Sequence, residues 1–176
     1  MNLKVFIVCL NKEYSLNVAK SLVYKNDELS IAPTFTTNPN DGEVNENYKT
    51  YLDPATVNLS YKNNSLLYIK TNQYISTGIT IDDFYNNDIC IMNIEEYNLI
   101  PEYLFNKHDI LTVWIDSKNH GSLQNSDLIE IRYFTEFIEN VNYLYFLDSE
   151  NIIDDIILNY IKGNEEERQI ILRENS

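Results

Sequence analysis

The 176-residue chain has little of what makes a backbone pliable: 4 glycines, 4 prolines and 3 alanines, with only 3 arginines among its 13 basic residues. Scarce glycine is the most consequential lack. A loop that wraps a phosphate with successive backbone N–H groups needs residues that turn inward at positive φ, which glycine does without steric cost. The stretch "KVFIVCLNKEYSLNVAKSL", residues 4–22, reads as strand, loop and helix, the place for such a loop in an α/β nucleotide-binding protein. Yet the first glycine of the chain is Gly42. Asn11, Lys12 and Ser15 lie in the loop without a Lys–Ser/Thr pair following a glycine, and Glu13 opposes an anion at the helix N-terminus. These residues argue against ATP binding there in the usual way.

Other absences exclude other classes. Positive charge is short: the net charge of −14 repels nucleic-acid phosphates and anionic membranes, so no direct nucleic-acid contact and no membrane partner are expected. Two cysteines, Cys9 in "FIVCL" and Cys90 in "ICIM", predict buried free thiols and not a disulfide framework or a metal site. His108 and His120 share no ligand spacing, and neither cysteine has a His–Asp arrangement beside it. No apolar run is long enough for a signal peptide or a membrane span, which predicts a soluble, cytoplasmic protein.

What is present is ordinary globular composition, 44% hydrophobic and 23% charged, with 14 tyrosines and many Asn and Ile. With so few residues encoded by GC-rich codons, an AT-rich gene is implied, as in large DNA viruses, some phages and some parasites. For a viral protein the location becomes host cytoplasm or virion. The length suits one domain, 1–176.

Along the chain, strand-length apolar runs alternate with helical patterns, which predicts a parallel α/β sheet. "LKVFIVCL" is a buried strand. Leu16, Ala19, Leu22 and Val23 predict a helix from Ser15 to Tyr24. "ELSIAPTFTTNPNDGEVNENYKTYLDPATVNL" reads as strands and turns. "SLLYIKTNQYIST" predicts a hairpin, "TIDDFYNN" a short helix behind a Thr cap, "DICIM" a buried strand, and Pro101 begins or breaks a helix. "DILTVWID" and "VNYLYFLD" are further strands, with a polar loop and the helix "SDLIEIRYFTEFIEN" between them, and "SENIIDDIILNYIK" a last helix. Trp114 is assigned to the core, as are most of the tyrosines of "IEEYNLIPEYLF" and "RYFTEFIENVNYLYF".

The segment "FTTNPNDGEVNENY", residues 35–48, resembles the GMP-binding motif of guanylate kinases, with Thr36, Thr37, Pro39, Gly42, Glu43, Val44, Asn45 and Tyr48 matching. "NSLLYIKTNQYIST" is similar to the strand pair of that family, placing Asn72, Tyr74 and Ser76 in register. "ICIMNIEEYNL" and "VNYLYFLDSENIIDDIILNYI" match its later strands and helices in order. The resemblance implies a guanylate-kinase-like three-layer α/β fold with a parallel central sheet. It implies a core of 1–30 and 86–165, a small strand-rich GMP-domain-like insertion at 31–80, a lid-like loop at 117–126 and a charged tail at 164–176.

It also implies a remnant nucleotide or partner pocket of Glu43, Tyr48, Tyr74, Ser76, Asn38 and Asn40, beside a degenerate phosphate loop of Asn11, Lys12 and Ser15. The arginines that grip the GMP phosphate in the family correspond to Asn38 and Asn40, which removes charge-assisted bidentate contacts. The guanine-reading glutamate falls at Tyr68. The metal-side Asp becomes Asn93, with Glu95 two residues on. In the lid, Lys118 and His120, with Arg132 further along the following helix, stand in for arginines that steady a transferring phosphoryl group in the family. The expectation is therefore a non-catalytic relative without cofactor that acts through a protein partner, a basic or hydrophobic segment. A divergent GMP/dGMP kinase using ATP and magnesium, and a nucleotide sensor without turnover, are the alternatives.

Overall fold

The computed structural model describes residues 3–9, 12–42, 46–116, 142–147 and 152–175. Two sheets organise them. The larger runs in the order β6-β1-β7-β8 and is wholly parallel, built from β1 (Leu3–Cys9), β6 (Ile89–Met92), β7 (Asp109–Asp116) and β8 (Asn142–Leu147). Ile31 adds a parallel bridge to Ile89 at the β6 edge. The smaller sheet, in the order β3-β2-β5-β4, comprises β2 (Thr34–Thr36), β3 (Lys49–Tyr51), β4 (Leu66–Asn72) and β5 (Ile75–Thr80).

Strand alternation sorts the large sheet's side chains into two cores. Leu3, Val5, Ile7 and Cys9 of β1 meet Ile89, Ile91, Leu111, Val113, Ile115, Leu144 and Phe146 on one face. That face is covered by α1 (Lys12–Lys25) and α6 (Ile153–Lys162). Phe6 and Val8 face the other way with Cys90, Met92, Ile110 and Trp114. There they pack under α3 (Ile81–Asn86), α4 (Ile94–Tyr97) and α5 (Tyr103–Lys107). Phe6 lies 6.0 Å from Phe84, 6.2 Å from Tyr97 and 5.9 Å from Phe105 between ring centroids. Trp114 is buried, as its sequence context predicts, with its ring edge-on to Tyr97 at 4.9 Å. Tyr97 is fully buried and bonds Thr112 Oγ1 at 3.0 Å, whereas Tyr103 is well exposed.

Lys4 is a lysine in a strand otherwise apolar, and it is buried. Its ammonium donates to the carbonyls of Tyr85 at 3.0 Å and Asn87 at 2.6 Å and sits 5.4 Å from the Phe84 ring centroid. The side chain thus satisfies carbonyls at the end of α3 that a helix leaves unpaired. Both cysteines are buried free thiols, and Cys9 Sγ shares a 2.8 Å hydrogen bond with Ser15 Oγ.

The small sheet joins the second core through a bulge. Leu66 pairs with Thr80 and Tyr68 with Ile79, so Leu67 is an extra residue, and Leu67 and Tyr68 both enter the cluster around Phe6. Gly78 permits this geometry. A Cβ there would lie 2.2 Å from the Tyr68 carbonyl oxygen and 2.7 Å from the Phe35 ring.

Two expectations are corrected. Helix α1 begins at Lys12 and not at Ser15, so Lys12 and Ser15 stand in its first turn and not in the loop before it. The stretch ending "DPATVNL" contains a helix, α2 (Pro54–Lys62), where strands and turns were expected. Asp53 caps it through Oδ1, which accepts from the N–H groups of Ala55 and Thr56, each at 3.0 Å, and Pro54 fills the first turn. The charged tail folds as α7 (Glu165–Asn175, eleven residues) behind a reciprocal Asn164–Glu167 cap. Arg168 anchors it, donating to the Tyr160 carbonyl at 3.0 Å and to Asp109 at 3.3 Å. Among the described residues no helix is long and apolar enough to cross a membrane. The expected loop and helix between β7 and β8 fall outside the described residues.

Candidate functional site

All four strands of the large sheet point the same way, so the carboxyl ends of β1 and β6 meet at one edge, where open α/β sheets place ligands. The side chains there come from three sources: the start of α1, the start of α4 and the inner face of the small sheet. Asn93 caps α4 in a reciprocal box, its Oδ1 accepting from Glu96 N at 2.9 Å and its own N–H donating to Glu96 Oε2 at 3.0 Å. The box holds the Glu96 carboxylate under Lys12. The Lys12 ammonium donates to Glu96 Oε1 at 3.0 Å and lies 2.9 Å from Oε2. It also reaches the Tyr68 hydroxyl at 3.5 Å, the limit of a hydrogen bond.

Glu96 is 5% exposed and the Lys12 side chain 26%, so the pair sits largely out of water. Burial pulls the Lys12 pKa down despite the attraction of Glu96, and Lys49 and Lys70 push the same way. Tyr68 is held well above its usual value, first by burial and then by the neighbouring Glu96 carboxylate. The Thr34 hydroxyl works weakly the other way on Tyr68, although the buried Thr34 Oγ1 has no partner at full hydrogen-bond distance and angle among the described residues. One residue before Glu96, the exposed carboxylate of Glu95 forms an ion pair with Lys70 of β4. Adjacent carboxylates of α4 therefore neutralise one lysine from the core and one from the small sheet.

A cleft of about 380 Å³ remains beside this closure, with Leu16 and Ile91 as its apolar side and Lys12, Thr34, Asn47 and Lys49 as its polar side. Glu13 stands at its mouth, as the sequence places it. Among the described residues no group of three or more His, Cys, Asp or Glu is arranged to hold a metal ion.

The residues singled out from sequence do not converge. Lys12 belongs to the site. Ser15 is buried below it against Cys9 and takes no outward part. Tyr48, at φ 54, packs partly against the core of β1 and α1, with its carbonyl accepting from Thr34 N at 2.7 Å. Asn38 serves its own turn, its Oδ1 accepting from Asn40 N at 3.2 Å, and Asn40 is exposed. Asn11, Glu43, Lys118, His120 and Arg132 lie outside the described residues.

Tyr74 and Ser76 are somewhere else. Tyr74 is 95% exposed at the hairpin tip beside Gln73, which sits at φ 52. Ser76 pairs with Thr71, so pleating turns it to the α2 face, away from Tyr68 and Lys70, whose partners are Ile79 and Thr77. Both line a second groove, under α2, and not the cleft at Lys12.

Sequence reasoning missed Glu96, Lys70, Thr34, Asn47 and Lys49. The Asn93-x-x-Glu96 box behind an apolar strand was the available signal for Glu96; the others have none, because Lys12 and Glu96 are 84 positions apart.

No family's sequence model matches the chain, and no curated protein is similar to it in sequence. Its architecture does have solved counterparts. A crystal structure of guanylate kinase from Anaplasma phagocytophilum superposes with a TM-score of 0.55 at 11% identity, covering 92% of this chain and 85% of that one. The fold is guanylate-kinase-like, as the order of sequence segments implies.

Proposed function

We propose that this protein is a non-catalytic guanylate-kinase-like module that works as an interaction or regulatory subunit. The observation that carries the reading is the buried Lys12–Glu96 pair. Phosphoryl transfer needs cations aimed at the transferring group and carboxylates free to hold magnesium. Here the cation at the start of α1 is spent on the buried Glu96, and Glu95, the carboxylate that a kinase would offer to the metal, meets Lys70 in an exposed pair. Glu96 is doubly committed, since its Oε2 also accepts from Asn93 N. The loop before α1 has no glycine to bring backbone N–H groups round a phosphate. A kinase reading would require all of these groups to let go of one another.

The buried Thr34 hydroxyl without a hydrogen-bond partner favours one second reading, a sensor that binds a nucleotide without turning it over. Calorimetric and thermal-shift titration with GMP, dGMP, ATP–magnesium and their mixtures at millimolar ligand separates the readings. A ligand at 100 times its Kd raises stability by about 2.7 kcal/mol, which such a titration resolves. No shift with any ligand is the expected result. A shift with a monophosphate alone would install the sensor; shifts with both ligand types, larger together, would overturn the proposal in favour of a kinase.

A further inference from the structure

Lys12 faces open space as well as Glu96. Its side chain is 26% exposed and lines the cleft of about 380 Å³, a volume at the lower end of those that take small molecules. Around its Nζ stand Glu96 Oε1 at 3.0 Å, Glu96 Oε2 at 2.9 Å and the Tyr68 hydroxyl at 3.5 Å. The Thr34 hydroxyl lines the same cleft, buried and without a partner at full hydrogen-bond distance and angle among the described residues. An amine, a carboxylate, a phenol and an unfilled hydroxyl thus border one space.

We propose that Lys12 captures an aldehyde in this cleft as a protonated imine. The inference goes beyond the interaction reading and does not depend on it. The groups that face the Lys12 ammonium are Glu96 of α4, Tyr68 and Lys70 of β4 and Lys49 of β3, with Glu13 on its own helix. Burial lowers the Lys12 pKa most, Lys49 and Lys70 lower it further, and Glu96 offsets them only in part. A neutral, nucleophilic amine therefore forms at lower pH than on a free lysine side chain. Lys25 gives the contrast, since its hydrogen bond to Asp155 in the open pushes its pKa up.

The chemistry balances on these groups. Glu96 takes one proton from the Lys12 ammonium, and the amine lone pair adds to the carbonyl carbon. The C=O π pair moves to oxygen, which receives a proton from nitrogen and becomes a carbinolamine hydroxyl. Glu96 returns its borrowed proton to that hydroxyl, which leaves as water while the C=N bond forms. Ammonium plus aldehyde has become iminium plus water, with no change of charge. Tyr68, held protonated well above neutral pH, and Thr34 are donors for the departing oxygen.

Glu96 selects the class of ligand. An iminium leaves the buried carboxylate a cation at its side. An acylating ligand would turn Lys12 into a neutral amide and strand that charge, and carbon dioxide would turn it into an anion beside an anion. An aldehyde does neither.

The test is reductive trapping of the full chain with limiting propanal and cyanoborohydride, followed by mass mapping of each lysine. Lys12 is expected to take several-fold more label than Lys25 near pH 7, and its labelling should rise at lower pH than that of Lys25. Lys12→Arg keeps a cation for Glu96 and should remove this site alone. Tyr68→Phe keeps the ring in the core and should slow labelling of Lys12 by about tenfold or more, with the Lys25 rate unmoved. Labelling of Lys12 that trails Lys25, or that follows exposure alone across the chain, overturns the proposal. So does a Tyr68→Phe chain, folded by its melting curve, that labels at the original rate. The trapping uses no nucleotide, so its failure leaves the non-catalytic reading to the nucleotide titration.

Discussion

The two faces of the small sheet share one set of strands and have opposite character. The inner face carries Lys70, Tyr68, Thr34 and Lys49 toward the large sheet, where Lys12, Glu95 and Glu96 meet them. The Lys70–Glu95 ion pair lies on that side, and Tyr68 is 3% exposed. The outer face carries Ile69, Thr71, Ser76 and Tyr74, has no charge in its groove, and leaves its tyrosines in water. A strand places alternate residues on opposite sides, so a single seven-residue strand, β4, can hold Lys70 for closure and Ile69 for a groove. The inner side holds the charge pairs and keeps a cleft of about 380 Å³ beside them. The groove of the outer side lies outside that pairing altogether.

The largest test of this contrast attacks the closure. Glu96→Gln keeps the α4 cap, which glutamine also makes, and leaves the Lys12 ammonium without its carboxylate. Breaking a buried pair this way costs about 3 kcal/mol, the low end of the usual range because Lys12 is partly exposed. Urea unfolding should show the loss, and a Lys12→Met/Glu96→Gln double variant should recover most of it. A loss below about 1 kcal/mol would mean the pair behaves as a surface bridge and closes nothing.

Next comes the joint between the faces. Gly78→Ala forces a methyl onto the Tyr68 carbonyl and the Phe35 ring and should cost toward the upper end of about 1–3 kcal/mol. Thermal unfolding reads this directly, and an unchanged melting temperature would show that the bulge can relax.

The inner core also leaves a mark on pH dependence. Burial raises the Cys90 thiol from 9.0 to about 12 and the Tyr160 hydroxyl from 10.0 to about 12. Acids raised in the folded state hold their protons while the unfolded chain releases them, so stability is full below about pH 9 and falls as pH climbs toward 12. Tyr68 and Tyr97, shifted the same way, deepen the fall. Lys12, shifted down, works against it. Cys90→Ala should flatten the slope of unfolding free energy between pH 9 and pH 10; an identical slope would show the thiol is not the titrating group. The smallest expected effect belongs to the outer face. Tyr74→Ala should change stability by less than about 0.5 kcal/mol, since the ring is 95% exposed, and a larger loss would mean the groove is part of the fold's support.

Much of the architecture was legible because it rests on local periodicity. The buried strands β1, β6, β7 and β8, the Thr80 cap of α3 and the break at Pro101 all fall where apolar runs, cap residues and proline put them. The helix α2 was hidden because "PATVNL" sits among Thr, Asn and Pro residues that read as turns, although Asp53 followed by Pro54 is itself a helix start. Tyr74 and Ser76 were assigned to a pocket from order alone. A strand's facing depends on the pairing register, and the bulge at Leu67 is invisible in a single strand's pattern.

By itself the sequence determined that this is an α/β protein with a parallel central sheet, that its thiols and Trp114 are interior, and that no glycine-built phosphate loop precedes α1. Those conclusions depend on residues near one another in the chain. Only the tertiary structure decided that Lys12 pairs with Glu96, that Glu95 pairs with Lys70, and that the small sheet turns a charged face to the large sheet and an uncharged groove to the other side. Charge pairing acts over a few ångströms of space whatever the separation along the chain, and side-chain facing follows from register between strands.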